Sequence, residues 1–158
     1  MSPITRRSVN KQFKKIVATL SCVGAVLTAS ASTLQAKVKE PDQITVQHIL
    51  IGFKGSVPGK NITRTQEEAR KLAIEVQKKA QKGDFLELVK KHTDDSAPGI
   101  YKMSNIGVEP TQGDVFPRDR MVPAFGDVGF KLKKGAVGMA DFNPKTSPYG
   151  YHIIKRLE

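Results

Sequence analysis

Two runs, the β-branched and apolar Ile44–Phe53 (ITVQHILIGF) and the closing Tyr149–Leu157, restrict the folds open to this chain more than any other feature. The first is short and nearly continuous in apolar character, which reads as a buried strand, and the second reads as a closing strand. A strand also fits Ala136–Phe142. A lone terminal hairpin is barely stable in water, so the first run and the last two must share one sheet. The two most apolar strands then form its central pair. His48 and His152 sit in matching settings there, Gln47-His48-Ile49-Leu50 and Tyr151-His152-Ile153-Ile154. Side chains alternate across a strand, so neighbouring strands can set these imidazoles side by side. Burying two polar rings costs free energy unless they bond each other or a partner, which makes the pair a candidate site.

Between the end runs the signals are helical. Lys54–Arg64, with its Gly, Pro and Asn, reads as a loop. Thr65-Gln66-Glu67-Glu68 is a capping box, and Ala69, Leu72, Ala73, Val76 and Ala80 line one helical face behind it. Gly83 stops that helix. Asp84 caps a second, whose stripe is Phe85, Leu88, Val89 and His92; His92 reads as packing rather than as a ligand. Ser96–Gly113 carries Pro98, Gly99, Gly107 and Pro110 and reads as a long irregular loop, a length usually tied to function or mobility. Met121, Ala124, Phe125 and Val128 fall at i, i+3, i+4 and i+7, which predicts a short third helix. The order β-α-α-loop-α-β-β places the chain in the α+β class.

Charge divides the chain. Of 158 residues, 26 are Lys or Arg and 15 are Asp or Glu. Residues 1–36 hold five of the basic residues (Arg6, Arg7, Lys11, Lys14, Lys15) and no acid, followed by an uncharged run from Ile16 to Ala36. That order is a secretory signal, with cleavage expected after Ala31 or Ala36; retention as an uncleaved anchor is the alternative. Residues 37–43 are then a polar lead-in, and 44–158 one folded domain that works in the periplasm or outside the cell. Cys22, the sole cysteine, lies in the leader. The mature chain therefore has no thiol for catalysis, redox exchange or metal binding. Its basic residues alternate with Glu along a helix and form no aromatic-laced stripe, which argues against nucleic-acid binding.

Four segments in order, Val46-Gln47-His48-Ile49-Leu50, Lys82-Gly83-Asp84-Phe85, Met121-Val122-Pro123-Ala124-Phe125 and Tyr149-Gly150-Tyr151-His152-Ile153-Ile154, resemble parvulin-type peptidyl-prolyl cis-trans isomerases of the exported bacterial kind. The resemblance runs from Ile44 to Leu157. It implies a four-stranded antiparallel sheet wrapped by helices, with the active site on the face bearing the two histidines. It also implies catalytic roles for His48, Asp95 and His152, and a prolyl cup of Met121 and Phe125. Gly113, Val115 or Phe116 is expected on the remaining wall, and Thr146 or Ser147 near the last histidine. The reaction so implied needs no cofactor and no metal, and its partners are proline-containing polypeptides, chiefly unfolded exported ones. Lys54, Lys60 and Arg64 are scattered in the first loop and do not make the basic cluster of phosphate-directed parvulins. The other function open to such a scaffold is a non-catalytic chaperone or peptide-binding module.

Overall fold

The first apolar run forms strand β1 (Gln43–Ile51) in the computed structural model, which describes residues 39–111 and 113–158. The leader inferred for residues 1–36 lies outside the described residues. After β1 come α1 (Gln66–Ala80), α2 (Phe85–His92), β2 (Ile100–Ser104), β3 (Val115–Pro117), a 3-10 turn (Arg118–Arg120), α3 (Pro123–Lys131), β4 (Val137–Ala140) and β5 (Tyr151–Arg156). One sheet holds all the strands in the order β3-β2-β1-β5-β4. The two end runs are neighbours in it, β1 against β5, antiparallel. The expected four-stranded antiparallel sheet is thus a five-stranded mixed one, because β3 lies parallel to β2.

Strand β2 comes from the stretch expected to be irregular. Ile100-Tyr101-Lys102-Met103-Ser104 pairs antiparallel with β1 from Gln43 to Gln47. Only five residues long, with Lys102 at its centre and Gly or Pro on either side, it carries too little apolar periodicity to stand out from a loop.

The local capping signals are realised. Thr65 Oγ1 accepts from the Glu68 N–H at 3.2 Å while the Glu68 carboxylate accepts from the Thr65 N–H at 2.7 Å. Asp84 Oδ1 accepts from the Leu86 and Glu87 N–H groups, opening α2. The third helix departs from expectation at its start. Proline suits the first helical turn and biases the residue before it toward extended backbone, so α3 begins at Pro123 and Val122 is its cap. Met121 closes the preceding 3-10 turn in extended conformation, not on the helix.

Alternation splits the sheet between two cores. Ile49, Ile51, Tyr151 and Ile153 face α1 and α2 and pack with Ala69, Ala73, Val76, Phe85 and Val89. Ile44, Val46, Met103 and Ile154 face α3 and pack with Phe125 and Phe130. His48 and His152 belong to this second face, which leaves one end of α3 to roof them.

Arg118 ties the second face together. Its side chain is only 10% exposed and donates to Glu40 at 2.6 Å, Asn105 at 2.8 Å and Asp127 at 2.7 Å, with its guanidinium 4.7 Å from the Phe130 ring centre. Lead-in, β2–β3 connection and α3 thus meet on one cation. Replacing it strands two carboxylates, one of them half-exposed, a cost between the surface-pair and buried-pair ranges. Arg118→Met is expected to lower unfolding free energy by about 2 kcal/mol, read by urea denaturation at neutral pH.

Candidate active site

The register of the central ladder sets the geometry. His48 lies opposite Ile154 and His152 opposite Leu50, so the two histidines are diagonal neighbours on one face. Their rings stack with centroids 5.6 Å apart and planes 16° from parallel, and the two Nδ1 atoms are 3.4 Å apart. His48 Nε2 sits 3.1 Å from Asp95 Oδ2, and the Tyr101 hydroxyl donates to the same oxygen at 3.2 Å. The bonding pattern orders the protons along this chain. With His48 Nε2–H directed at the carboxylate, its Nδ1 serves as the acceptor for Nδ1–H of His152. His152 Nε2 then remains a buried acceptor without a protein partner among the described residues.

Local backbone delivers each member. Thr93 and Asp94 run beside the end of β1: Asp94 N–H donates to the Leu50 carbonyl at 2.8 Å, and Thr93 Oγ1 accepts from Leu50 N–H at 3.1 Å. This holds Asp95 over His48. Gly99 then lets β2 approach. The His48 N–H donates to its carbonyl at 2.9 Å, its φ is +65°, and a Cβ there would stand 2.6 Å from the His48 carbonyl oxygen.

The electrostatics follow from burial and bonding. The hydrogen bond from His48 holds the Asp95 carboxyl far below the usual carboxylate range, with Tyr101 assisting. Burial, and then the neighbouring His48, push His152 down to about 3, so this ring is neutral at physiological pH. Burial and the adjacent Asp95 carboxylate raise the Tyr101 hydroxyl, which stays protonated as a donor.

Over this chain lies a cavity of about 330 Å³. His48, Asp95, His152, Met121 and Phe125 all line it, so five of the residues expected from the sequence meet in one place. Phe125 stands edge-on to His48, with centroids 5.1 Å apart. Three expected residues lie off its wall. Phe116 is 46% exposed at the outer side of Tyr101. Thr146 is exposed and uses its carbonyl to accept from Ala124 N–H; Ser147 is buried, and its hydroxyl donates to the Gly150 carbonyl. Both brace the β4–β5 connection. Nor do Gly113 and Val115 reach the cavity.

Tyr101, Leu50, Val57, Pro58, Val122 and Tyr149 complete the lining and were not anticipated as site residues. The signal for Leu50 was available, since it is two residues from His48 on the same strand. Tyr101 and the loop residues Val57 and Pro58 reach the cavity through tertiary placement that no local pattern records. Among the described residues no cluster of three or more His, Cys, Asp or Glu could hold a metal ion.

A fold with paired imidazoles, an ionised aspartate and an apolar cup on one sheet face defines a class, and comparison with known proteins agrees. Residues 30–158 match the PPIC-type PPIASE domain, so the chain belongs to the parvulin family of peptidyl-prolyl isomerases. It is 32% identical over 134 residues to the "Foldase protein PrsA" of Bacillus subtilis (strain 168), a match over 84% of this chain. The chain spans 40% of that relative's length. A solution structure of TbPIN1 shares the fold at 22% identity with a TM-score of 0.55, covering 74% of this chain and 98% of that one.

The depressed His152 carries a stability signature. The unfolded ring binds a proton below about pH 6.5, while the folded ring stays neutral until about pH 3. The unfolded state therefore binds more protons across that interval, and stability is lost as pH falls through it. The lowered Asp95 adds a further loss only below its ordinary value of 3.8. Unfolding free energy is expected to fall between pH 6.5 and 4 with a slope approaching about 1.4 kcal/mol per pH unit, and His152→Phe is expected to flatten it. Chemical denaturation at stepped pH measures both slopes.

Proposed function

We propose that this chain isomerises X-Pro bonds in polypeptides by holding the prolyl ring against Met121 and Phe125 while the amide twists beside the Asp95–His48–His152 chain. One observation carries the reading: an apolar cup and an ionised, hydrogen-bonded polar chain share the walls of a single cavity. The barrier to X-Pro rotation is about 18–20 kcal/mol and arises from amide resonance, whereas the isomers differ by only about 0.5–1 kcal/mol. Catalysis requires only that the twisted amide bind better than either planar form.

Resonance makes the planar amide more polar than the twisted one, so water favours the planar forms. Rings and aliphatic chains make up most of this cavity, and His48 and His152 are each only 4% exposed on its floor. Seating the bond there strips the water that stabilises charge separation, which lowers the cost of twisting. The polar chain supplies a fixed field in place of mobile water. No proton has to move. His152, neutral and bonded to His48 on the cavity floor, is a positioning residue: it fixes the tautomer with which His48 holds Asp95.

These roles separate in variants. Met121 lies outside the helix and is half-buried. Met121→Ala is therefore expected to cut kcat/KM on a prolyl peptide at least about tenfold with little change in melting temperature. Phe125→Ala, at a nearly closed position, is expected to lose activity and about 3–5 kcal/mol of stability together. Asp95→Ala should reduce turnover more than melting temperature, and His152→Leu the reverse. Near-complete loss of turnover with unchanged melting in both His48→Leu and His152→Leu would instead make the imidazoles proton-transfer groups. Full turnover in a folded Met121→Ala protein would remove that side chain from the cup.

The clients proposed are polypeptides folding after export, a reading supported by the basic-then-apolar order of residues 1–36. No described helix is long and apolar enough to cross a membrane. Protein recovered from its native cell is expected to begin after Ala31 or Ala36 and to lack a titratable thiol, as read by N-terminal sequencing and intact mass. Full-length protein in the cytosolic fraction would defeat the export reading and leave the isomerase reading standing.

A further inference from the structure

The opposite end of α3 from the cavity borders a larger concavity of about 1030 Å³. Its walls are apolar where Phe130 and Leu132 close the helix and where Pro41 and Val108 face them. Ile106 stands at its edge, 70% exposed, the most open large hydrophobic side chain among the described residues. A single exposed aliphatic residue is ordinary. Ile106 differs because its exposure is built in.

The side chain rides on a fastened turn. Ile106 N–H donates to Asn105 Oδ1 at 2.9 Å, Val108 N–H donates to the Asn105 carbonyl at 3.0 Å, and Gly107 takes the positive φ of +77° that the turn requires. Asn105 is itself tied down. Its backbone N–H donates to the Asp42 carbonyl, its amide donates to the Pro41 carbonyl and the Glu40 carboxylate, and its Oδ1 accepts from Arg118. An apolar group ordered in advance loses little entropy when something docks against it.

Charge says what that something carries. Lys131, Lys133 and Arg156 line the same groove, and none makes an ion pair with a carboxylate side chain among the described residues. The donors of Arg156 go to backbone oxygens of Leu132 and Glu158. The two acids present are spent: Glu40 on Arg118, and Asp42 on Lys39. The groove is therefore apolar on its walls and cationic on its rim. A lipid surface is flat and meets protruding side chains, whereas here the apolar area is concave and fits a chain laid into it.

We propose that this groove is a second polypeptide-binding site, separate from the isomerase cavity, for an extended segment in which aliphatic residues adjoin acidic ones. The aliphatic side chains seat against Ile106, Val108 and Leu132, and the carboxylates meet Lys131, Lys133 and Arg156. The site does not depend on the isomerase reading, because no residue of it lines the cavity.

The test uses the full-length chain and a short, proline-free, fluorescent peptide of alternating Leu and Glu, with its Leu/Lys counterpart as control. Fluorescence anisotropy is expected to show the Leu/Glu peptide binding at least about tenfold tighter than the Leu/Lys one, and more weakly as salt rises. Ile106→Asp, at an exposed turn tip that leaves folding intact, and the pair Lys131→Glu with Lys133→Glu should each cost about tenfold in affinity. Prolyl-peptide turnover in these variants should match the parent. Equal binding of the two peptides, or undiminished binding by Ile106→Asp, overturns the proposal. So do two reassignments: Ile106-dependent binding to anionic vesicles with none to the peptide, or self-association abolished by Ile106→Asp.

Discussion

The pairing of β1 with β5 is the constraint on which everything else rests. These strands come from opposite ends of the described chain, yet His48 lies opposite Ile154 and Leu50 opposite His152. A slip of one residue would turn every side chain of one strand to the other face. It would send one imidazole into the α1–α2 core and an isoleucine into the cavity. Because Ile49, Ile51 and Ile153 are fully buried on one face and Val46 and Ile154 on the other, the register is held from both sides. The candidate site is thus a by-product of packing: the apolar pattern that stabilises the sheet also aligns the two rings.

Polar geometry is added to that frame by residues whose neighbours leave them little freedom. Asp95 receives two hydrogen bonds in a setting where its carboxylate stays ionised, and His152 is kept neutral by burial. A negative group and an uncharged ring on either side of His48 give the cavity a fixed field without any group titrating near neutral pH on the His152 side. Family membership and fold are matters of the whole sheet, whereas the proposed chemistry rests on these few atoms.

How much could be read without coordinates depended on the range of the interactions involved. The helices α1 and α2 were legible because their capping residues, Thr65, Glu68 and Asp84, act within three residues of themselves. His48 and His152 were legible because both sit in strands whose apolar neighbours demand burial. Strand β2 was not, since Lys102 breaks its pattern and its reason for being a strand is the distant edge of β1. Tyr101 was lost with it. Met121 was assigned to the right place for an imperfect reason: it lines the cavity from an extended cap, and Pro123, not apolar spacing, decides where α3 begins. Phe116, Thr146 and Ser147, carried over by resemblance alone, stand nearby without facing the cavity.

The two adjacent aspartates divide the work of holding the lip of the cavity and its back. Asp94 accepts from Gly52 N–H and from Arg64, which closes off both ends of the segment carrying Val57 and Pro58. Asp95, one peptide farther along, holds His48 from the other side. Asp94 thus anchors that segment, and the next residue along the same backbone carries the Asp95 carboxylate. The apolar lip of the cavity and the charge at its back are thereby hung on one short stretch of backbone.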